Sequence, residues 1–174
     1  MLFRSNTKKT ALLVIDVQQG LFRKSTPIYQ AETLLKNITT LVERAQRAGV
    51  PVVYVQHADK TLPEGTDVWQ LHPQLQPQPQ DLHIHKHHGN AFEDTPLGEE
   101  LQKRGITRIV VTGLVTHGCV RATSLGAKET GYEVILAGDA HSSYHKQAAE
   151  VIAEWNQKLA AQGIEVRMTK EISF

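Results

Sequence analysis

One cysteine, Cys119, is all the chain has among its 174 residues. That excludes an internal disulfide framework and leads us to expect a reducing, cytoplasmic setting. Net charge is nearly absent as well: 19 basic against 18 acidic side chains leave +1. No overall field then draws nucleic acid or a membrane surface, and neither is expected as a partner. No apolar run approaches the length that spans a bilayer. The opening segment MLFRSNTKKTALLVIDVQ places basic residues ahead of an apolar stretch, but Asp16 interrupts it before any cleavage-like site. It reads as a first strand rather than a signal peptide. A dinucleotide fingerprint is also missing: no GxGxxG follows that strand, and Gly113, Gly118 and Gly138 read as strand exits and turns. With 40% hydrophobic and 21% charged residues, the chain suits one domain, residues 1–174, with a sizeable core.

What is present centres on IVVTGLVTHGCVRATSLGA, residues 109–127. A β-branched run stops at Gly113, passes a polar elbow, and resumes as a small-residue helix pattern after Cys119. The thiol is therefore expected where a buried strand hands over to a helix N-terminus, a place that can lower a cysteine pKa. A lone cysteine is more often a small buried hydrophobe, so the elbow needs partners before it reads as chemistry.

Around it, Thr10–Val17 and Pro51–His57 are apolar on both faces, as strands covered by helices on each side are. Between them Ala31, Leu34, Leu35, Ile38, Leu41, Val42, Ala45 and Ala48 keep helical spacing, and Gly49 stands where a C-terminal cap belongs. Residues 58–80 carry no period, yet Trp69, Leu71 and Pro73 indicate a packed substrate-side loop. In DLHIHKHH, alternation sets Leu82, Ile84 and Lys86 on one side and His83, His85 and His87 on the other. Thr95, Pro96 and Glu99 cap a helix ending near Arg104. After the elbow, YEVILAGDAH is a strand, Tyr144–Ala161 a helix, and IEVRMTKEI a last strand. Strands alternating with helices imply an α/β domain whose six-stranded, mainly parallel sheet is covered on both faces. Ligands of such sheets sit beyond the carboxyl ends of the strands, and Asp16, Lys86 and Cys119 all fall there.

A thiol needs a group to take its proton, and an ammonium that steadies both the thiolate and the acid makes an Asp/Lys/Cys group coherent for attack on a carbonyl. A histidine partner is the other arrangement, with His57, His117 and His141 as candidates. His83, His85, His87 and His88 read as a solvated or interface strand face before a metal cluster, since no cysteine or carboxylate joins them at close spacing. Asp139 reads as a loop-bonding residue at a strand end. Gln18, Phe22, His57, Trp69, Phe92 and His117 are the expected pocket wall.

The three stretches LLVIDVQQGLF, HKHHGNAFEDTPLGEEL and VVTGLVTHGCVRATSLGAKETGYEVILAGDA resemble, in order and spacing, the isochorismatase-like cysteine hydrolase superfamily. The resemblance implies a Rossmann-like three-layer α/β/α domain and a catalytic triad of Asp16, Lys86 and Cys119. It also implies a cis peptide at Val115-Thr116 that aims main-chain N–H groups, including that of Cys119, at an oxyanion. Members hydrolyse small amides, ureides and carbamoyl compounds through an acyl-enzyme, and others cleave the vinyl ether of isochorismate. A non-catalytic binding domain of the same fold is a further alternative. Nicotinamidases of the family carry Asp-x-His and further histidines at a metal site after the second strand. Here that place reads His57-Ala58-Asp59, the reverse order, with His72 downstream, so neither metal nor other cofactor is expected. A small-molecule substrate and a homo-oligomer, dimeric or larger, are expected, with the His83/His85/His87 face or the 58–80 loop at an interface.

Overall fold

The computed structural model describes residues 8–174; Arg4 and the rest of residues 1–7, on which part of the first-strand reading rests, lie outside them. Ten elements follow in order: β1 (Thr10–Ile15), α1 (Ala31–Arg47), β2 (Val52–His57), β3 (Leu82–Lys86), α2 (Leu97–Lys103), β4 (Arg108–Leu114), α3 (Arg121–Thr130), β5 (Glu133–Ser142), α4 (Ala148–Ala161) and β6 (Glu165–Arg167). All six strands are parallel, in the order β3-β2-β1-β4-β5-β6.

The strands alternate their side chains between two cores, which is why they read as continuous apolar runs. Leu12, Val14, Val52, Tyr54, Val110 and Ile135 pack on one face against α1, through Leu34, Leu35, Ile38 and Leu41, and against Ile172. Ala11, Leu13, Ile15, Val53, Val55, Ile109 and Val111 pack on the other, against Leu97 and Leu101 of α2, Ala127 of α3 and Leu159 of α4. The winding reverses between β1 and β4. That reversal opens the sheet's carboxyl ends at one place, just beyond Ile15 and Leu114.

The crossover from β2 to β3 contains only a short 3₁₀ turn, Asp67–Trp69. It is packed all the same: Leu62, Trp69 and Leu75 are buried, while Pro73 is exposed. An antiparallel bridge between Gln18 and Leu71 folds it back over the end of β1.

Two sequence-derived boundaries shift. The helix expected from Tyr144 begins at Ala148, because Ser143 Oγ accepts the His145 N–H (3.1 Å) and His145 Nδ1 accepts the Gln147 N–H (3.0 Å). Local side-chain bonds of that kind compete with helix. The last strand stops at Arg167, since Asp139 Oδ1 accepts both the N–H and the hydroxyl of Thr169 (2.8 and 2.7 Å) and holds a turn over Thr169–Glu171. Among the described residues no helix is long and apolar enough to cross a membrane.

Candidate active site

β1 and β4 meet at the switch point with almost no room between them. Ile15 and Gly113 are in register, and a Cβ on Gly113 (φ +119°) would lie 2.1 Å from the Ile15 carbonyl oxygen. Only glycine fits there. Immediately beyond, Asp16 turns into the left-handed region (φ +53°), where its N–H donates to the Val55 carbonyl at 2.9 Å. Aspartate tolerates this conformation better than most side chains. The turn drops its carboxylate into the cleft rather than along the strand.

On the other side of the cleft, β4 runs into a wide helical turn, Thr116–Val120, interrupted at Gly118 (φ −107°, ψ −110°) before α3 starts. Cys119 sits in that turn, half-buried. Lys86 ends β3 on the same side as Ile84, paired in register with His57 of β2, so its long side chain can cross β2 toward β1. The loop that follows is fixed to α3: the Ala91 N–H donates to Thr123 Oγ1 (3.0 Å), and Asn90 packs where any side chain on Gly126 would be.

Lys86 Nζ is the hub. It lies 2.9 Å from His57 Nδ1, 3.1 Å from Asp16 Oδ2 and 3.2 Å from Cys119 Sγ. Lys86 is fully buried and Asp16 is 4% exposed. An ammonium can only donate, so His57 Nδ1 accepts and its ring proton is on Nε2, which faces Asp59 Oδ2 at 3.3 Å. Asp59 is anchored in turn by the Thr61 and Leu62 N–H groups (2.7 and 2.9 Å).

Burial sets the protonation of this cluster. It raises the Asp16 carboxyl above the ordinary range, more than the adjacent Lys86 charge lowers it. It also pushes the Cys119 thiol up to about 12, helped by the Asp16 charge and opposed by Lys86. Burial and Lys86 lower His57, leaving it neutral. The low-pKa thiol expected from a helix N-terminus is therefore corrected. The wide turn intervenes before α3, and an enclosed sulfur beside a carboxylate keeps its proton.

The structure brings Asp16, Lys86, Cys119 and His57 together. Gln18 stands behind them: its Oε1 accepts the His57 N–H and its Nε2 donates to the His57 and Trp69 carbonyls, each at 2.9 Å. It clamps the wall instead of presenting its amide to the cleft. Trp69 is held by that clamp and by Gln56 (3.1 Å), with its ring edge-on to His85 at 4.8 Å. Phe22 packs over His72 at 4.7 Å, and Phe92 stacks on Tyr132 at 5.7 Å in the core. His117 meets His145 edge-on at 5.9 Å, with its Nδ1 buried and unpartnered among the described residues. The cis peptide is Leu114-Val115, one bond earlier than Val115-Thr116. β4 stays paired with β5 through Leu114–Ser142, so the chain leaves the ladder at that bond, and Val115 is already the extended residue that opens the wide turn.

His141 is not a partner of Cys119. Its Nδ1 bonds Thr116 Oγ1 and its Nε2 bonds Asn156 Oδ1, both at 2.8 Å. Burial lowers its pKa to about 4. Asn156, in mid-helix, had no signal in the sequence beyond its polarity.

The surface histidines diverge. His83 stacks on Tyr54, His85 pairs with Glu64 at 3.0 Å, His87 contacts the Ala58 carbonyl, and His88 faces Asp94 and Glu93. The donor set His57, Asp59 and His72 does not fit a nicotinamidase-type metal. Among the described residues the ligand atoms of these three do not converge within 4.8 Å of one another, and His72 Nδ1 accepts the Gln74 N–H at 3.2 Å.

An isochorismatase domain model matches residues 10–169. The chain belongs to the isochorismatase family. It is 34% identical over 149 residues, 83% of its length, to a streptothricin hydrolase of Streptomyces noursei. It spans little more than half of such relatives, 58% of that protein and 53% of a second streptothricin hydrolase. A crystal structure of an isochorismatase family protein superimposes with a TM-score of 0.87 at 29% identity, covering 92% of this chain and 98% of that one. N-carbamoylsarcosine amidase from Thermoplasma acidophilum does so with a TM-score of 0.84 at 26% identity, covering 95% and 99%. The six-stranded α/β fold is thus the isochorismatase-family fold.

Proposed function

We propose that this isochorismatase-family chain is a cysteine hydrolase that cleaves the C–N bond of a small amide, ureide or carbamoyl compound. The observation that carries the reading is the buried Lys86 ammonium bonded at once to the Asp16 carboxylate and the Cys119 sulfur. In water such contacts are worth little; shut away from it they hold two reacting groups in one geometry.

As Cys119 Sγ attacks the substrate carbonyl, the Asp16 carboxylate takes the thiol proton. Its raised pKa makes it a better base than an exposed aspartate. Lys86 stays bonded to the charge as it passes from carboxylate to sulfur, and the Cys119 main-chain N–H is left to meet the developing oxyanion, those of Gly118 and Val120 being taken by the Val115 carbonyl at 3.0 and 3.3 Å. Collapse of the adduct breaks the C–N bond, and the Asp16 proton leaves on the amine. Water, deprotonated by Asp16, then attacks the thioester, releasing the acid and restoring the thiol. The relatives named streptothricin hydrolase and N-carbamoylsarcosine amidase support C–N hydrolysis as the reaction class.

The test is turnover of a panel of small amides, ureides and carbamoyl amino acids by the native chain and by Cys119→Ala, with mass spectrometry of quenched reactions. Turnover with a transient adduct on Cys119, falling by about four orders of magnitude in Cys119→Ala, is expected. Vinyl-ether hydrolysis that survives Cys119→Ala, or binding with no turnover at all, would overturn it.

A further inference from the structure

The atoms around Lys86 Nζ form a recognisable ligand set. One carboxylate oxygen of Asp16, one ring nitrogen of His57 and the sulfur of Cys119 all lie within 4.8 Å of one another. The ammonium sits among them, 3.1, 2.9 and 3.2 Å from the three donors. Thiolate, neutral imidazole and carboxylate are the donors that Zn²⁺ takes at tetrahedral sites, at about 2.3, 2.0 and 2.1 Å. A cation already occupies the centre of this set, and it is the protein's own.

We propose that Asp16, His57 and Cys119 form a latent site for a soft divalent metal, kept closed by the Lys86 ammonium. Four observations support it. His57 presents Nδ1 as an acceptor, its proton being turned to Asp59 by the 3.3 Å contact at Nε2, so the lone pair that accepts from Lys86 is the one a metal would take once the ammonium is gone. Asp16 Oδ1 is buried without a partner among the described residues, leaving capacity for a second contact. The donors come from the ends of β1 and β2 and from the turn after β4, and each needs to draw inward by only about 1 Å to reach metal-ligand distances. Finally, the charge is matched: a carboxylate and a thiolate around a divalent ion replace a carboxylate and a thiol around an ammonium. Metal entry releases the thiol proton to solvent and requires the Lys86 ammonium to leave the centre. Lys86 thereby keeps zinc off the sulfur as well as holding it in position. This site shares only His57 with the His57, Asp59 and His72 set, and it does not depend on the hydrolase reading, since its readout is spectroscopic.

Co²⁺ titration tests it, because Cys119 is the single cysteine and a thiolate-to-cobalt charge-transfer band can arise from it alone. Lys86→Ala and Lys86→Leu are expected to bind one Co²⁺ with that band and to prefer Zn²⁺. Their affinity should exceed that of the native chain by about 100-fold or more at neutral pH. The band should vanish in Lys86→Ala/Cys119→Ala, and affinity should fall about tenfold or more in Lys86→Ala/His57→Leu. Equal binding by native and variant chains would overturn the proposal. So would binding without the band, as at the exposed group His88, Glu93 and Asp94. If neither Lys86 variant folds, Lys86→Gln, which keeps a hydrogen-bonding side chain in the cleft without the charge, takes their place, and absence of the band there overturns the site.

Discussion

Cys119 holds its proton at rest because burial raises its pKa, and two neighbours act on it in opposite senses. The Asp16 charge adds to burial in raising the thiol, and Lys86 lowers it. Asp16→Asn should therefore move thiolate formation, followed by absorbance near 240 nm, to lower pH, and Lys86→Ala should move it higher. Both variants should nonetheless lose turnover, since one lacks the base and the other the group that follows the charge. A rate that simply tracked the amount of thiolate would contradict the proposed proton transfer to Asp16. In the proposed mechanism the same carboxyl sets the acid limb of kcat/KM. Asp16 must be ionised, and its pKa is raised by burial, so activity should fall with decreasing pH through a midpoint above the usual carboxylate range. In Lys86→Ala, which lacks the charge that lowers Asp16, the residual activity should show that midpoint higher still.

The elbow is held from behind by one strand and one helix: Thr116 by His141 of β5, and His141 by Asn156 of α4. His141 is neutral in the fold, with a pKa near 4 against an ordinary 6.5. The unfolded chain therefore binds an extra proton between those values, and stability is lost as pH falls through that window. The contribution is about 3 kcal/mol across the full interval. Urea unfolding of His141→Gln should show a flatter pH dependence from 6.5 to 4 than the native chain; an equal slope would remove His141 from the account. This chain of bonds was not legible in the sequence, for it joins residues 25 and 15 positions apart through buried side chains. The elements were legible where one force dominates. Strict alternation in Leu82–Lys86 placed Lys86 on the buried side, and apolar spacing located α1 to within a residue or two. Boundaries failed where a side chain captured the backbone, as Ser143 and His145 do before α4 and Asp139 does after β6. The thiol's pKa was misjudged because burial beside Asp16 is a tertiary fact.

Across the whole molecule, the site ties the sheet's centre to its edge. Asp16 and Cys119 follow the two central strands, while Lys86 ends β3, which pairs only with β2 among the described residues. The strand order that brings them together follows from a right-handed parallel winding that reverses once, so all three strand ends open on one side. The buried Lys86–Asp16 pair is then an electrostatic tether for the edge strand. Removing only the ammonium, as in Lys86→Met, strands a carboxylate and should cost about 3 kcal/mol or more in urea unfolding at pH 7. That deficit should shrink toward pH 5, because the unpaired Asp16, already raised by burial, takes up a proton more readily in the folded variant than in the unfolded chain. In hydrogen exchange the amides of residues 82–86 should open faster in the variant, with those of β1 and β4 unchanged relative to global unfolding. If β3 kept its native protection while global stability fell, the pair would be stabilising the core as a whole, and the edge strand would owe its place to Ile84 and the β2 ladder instead.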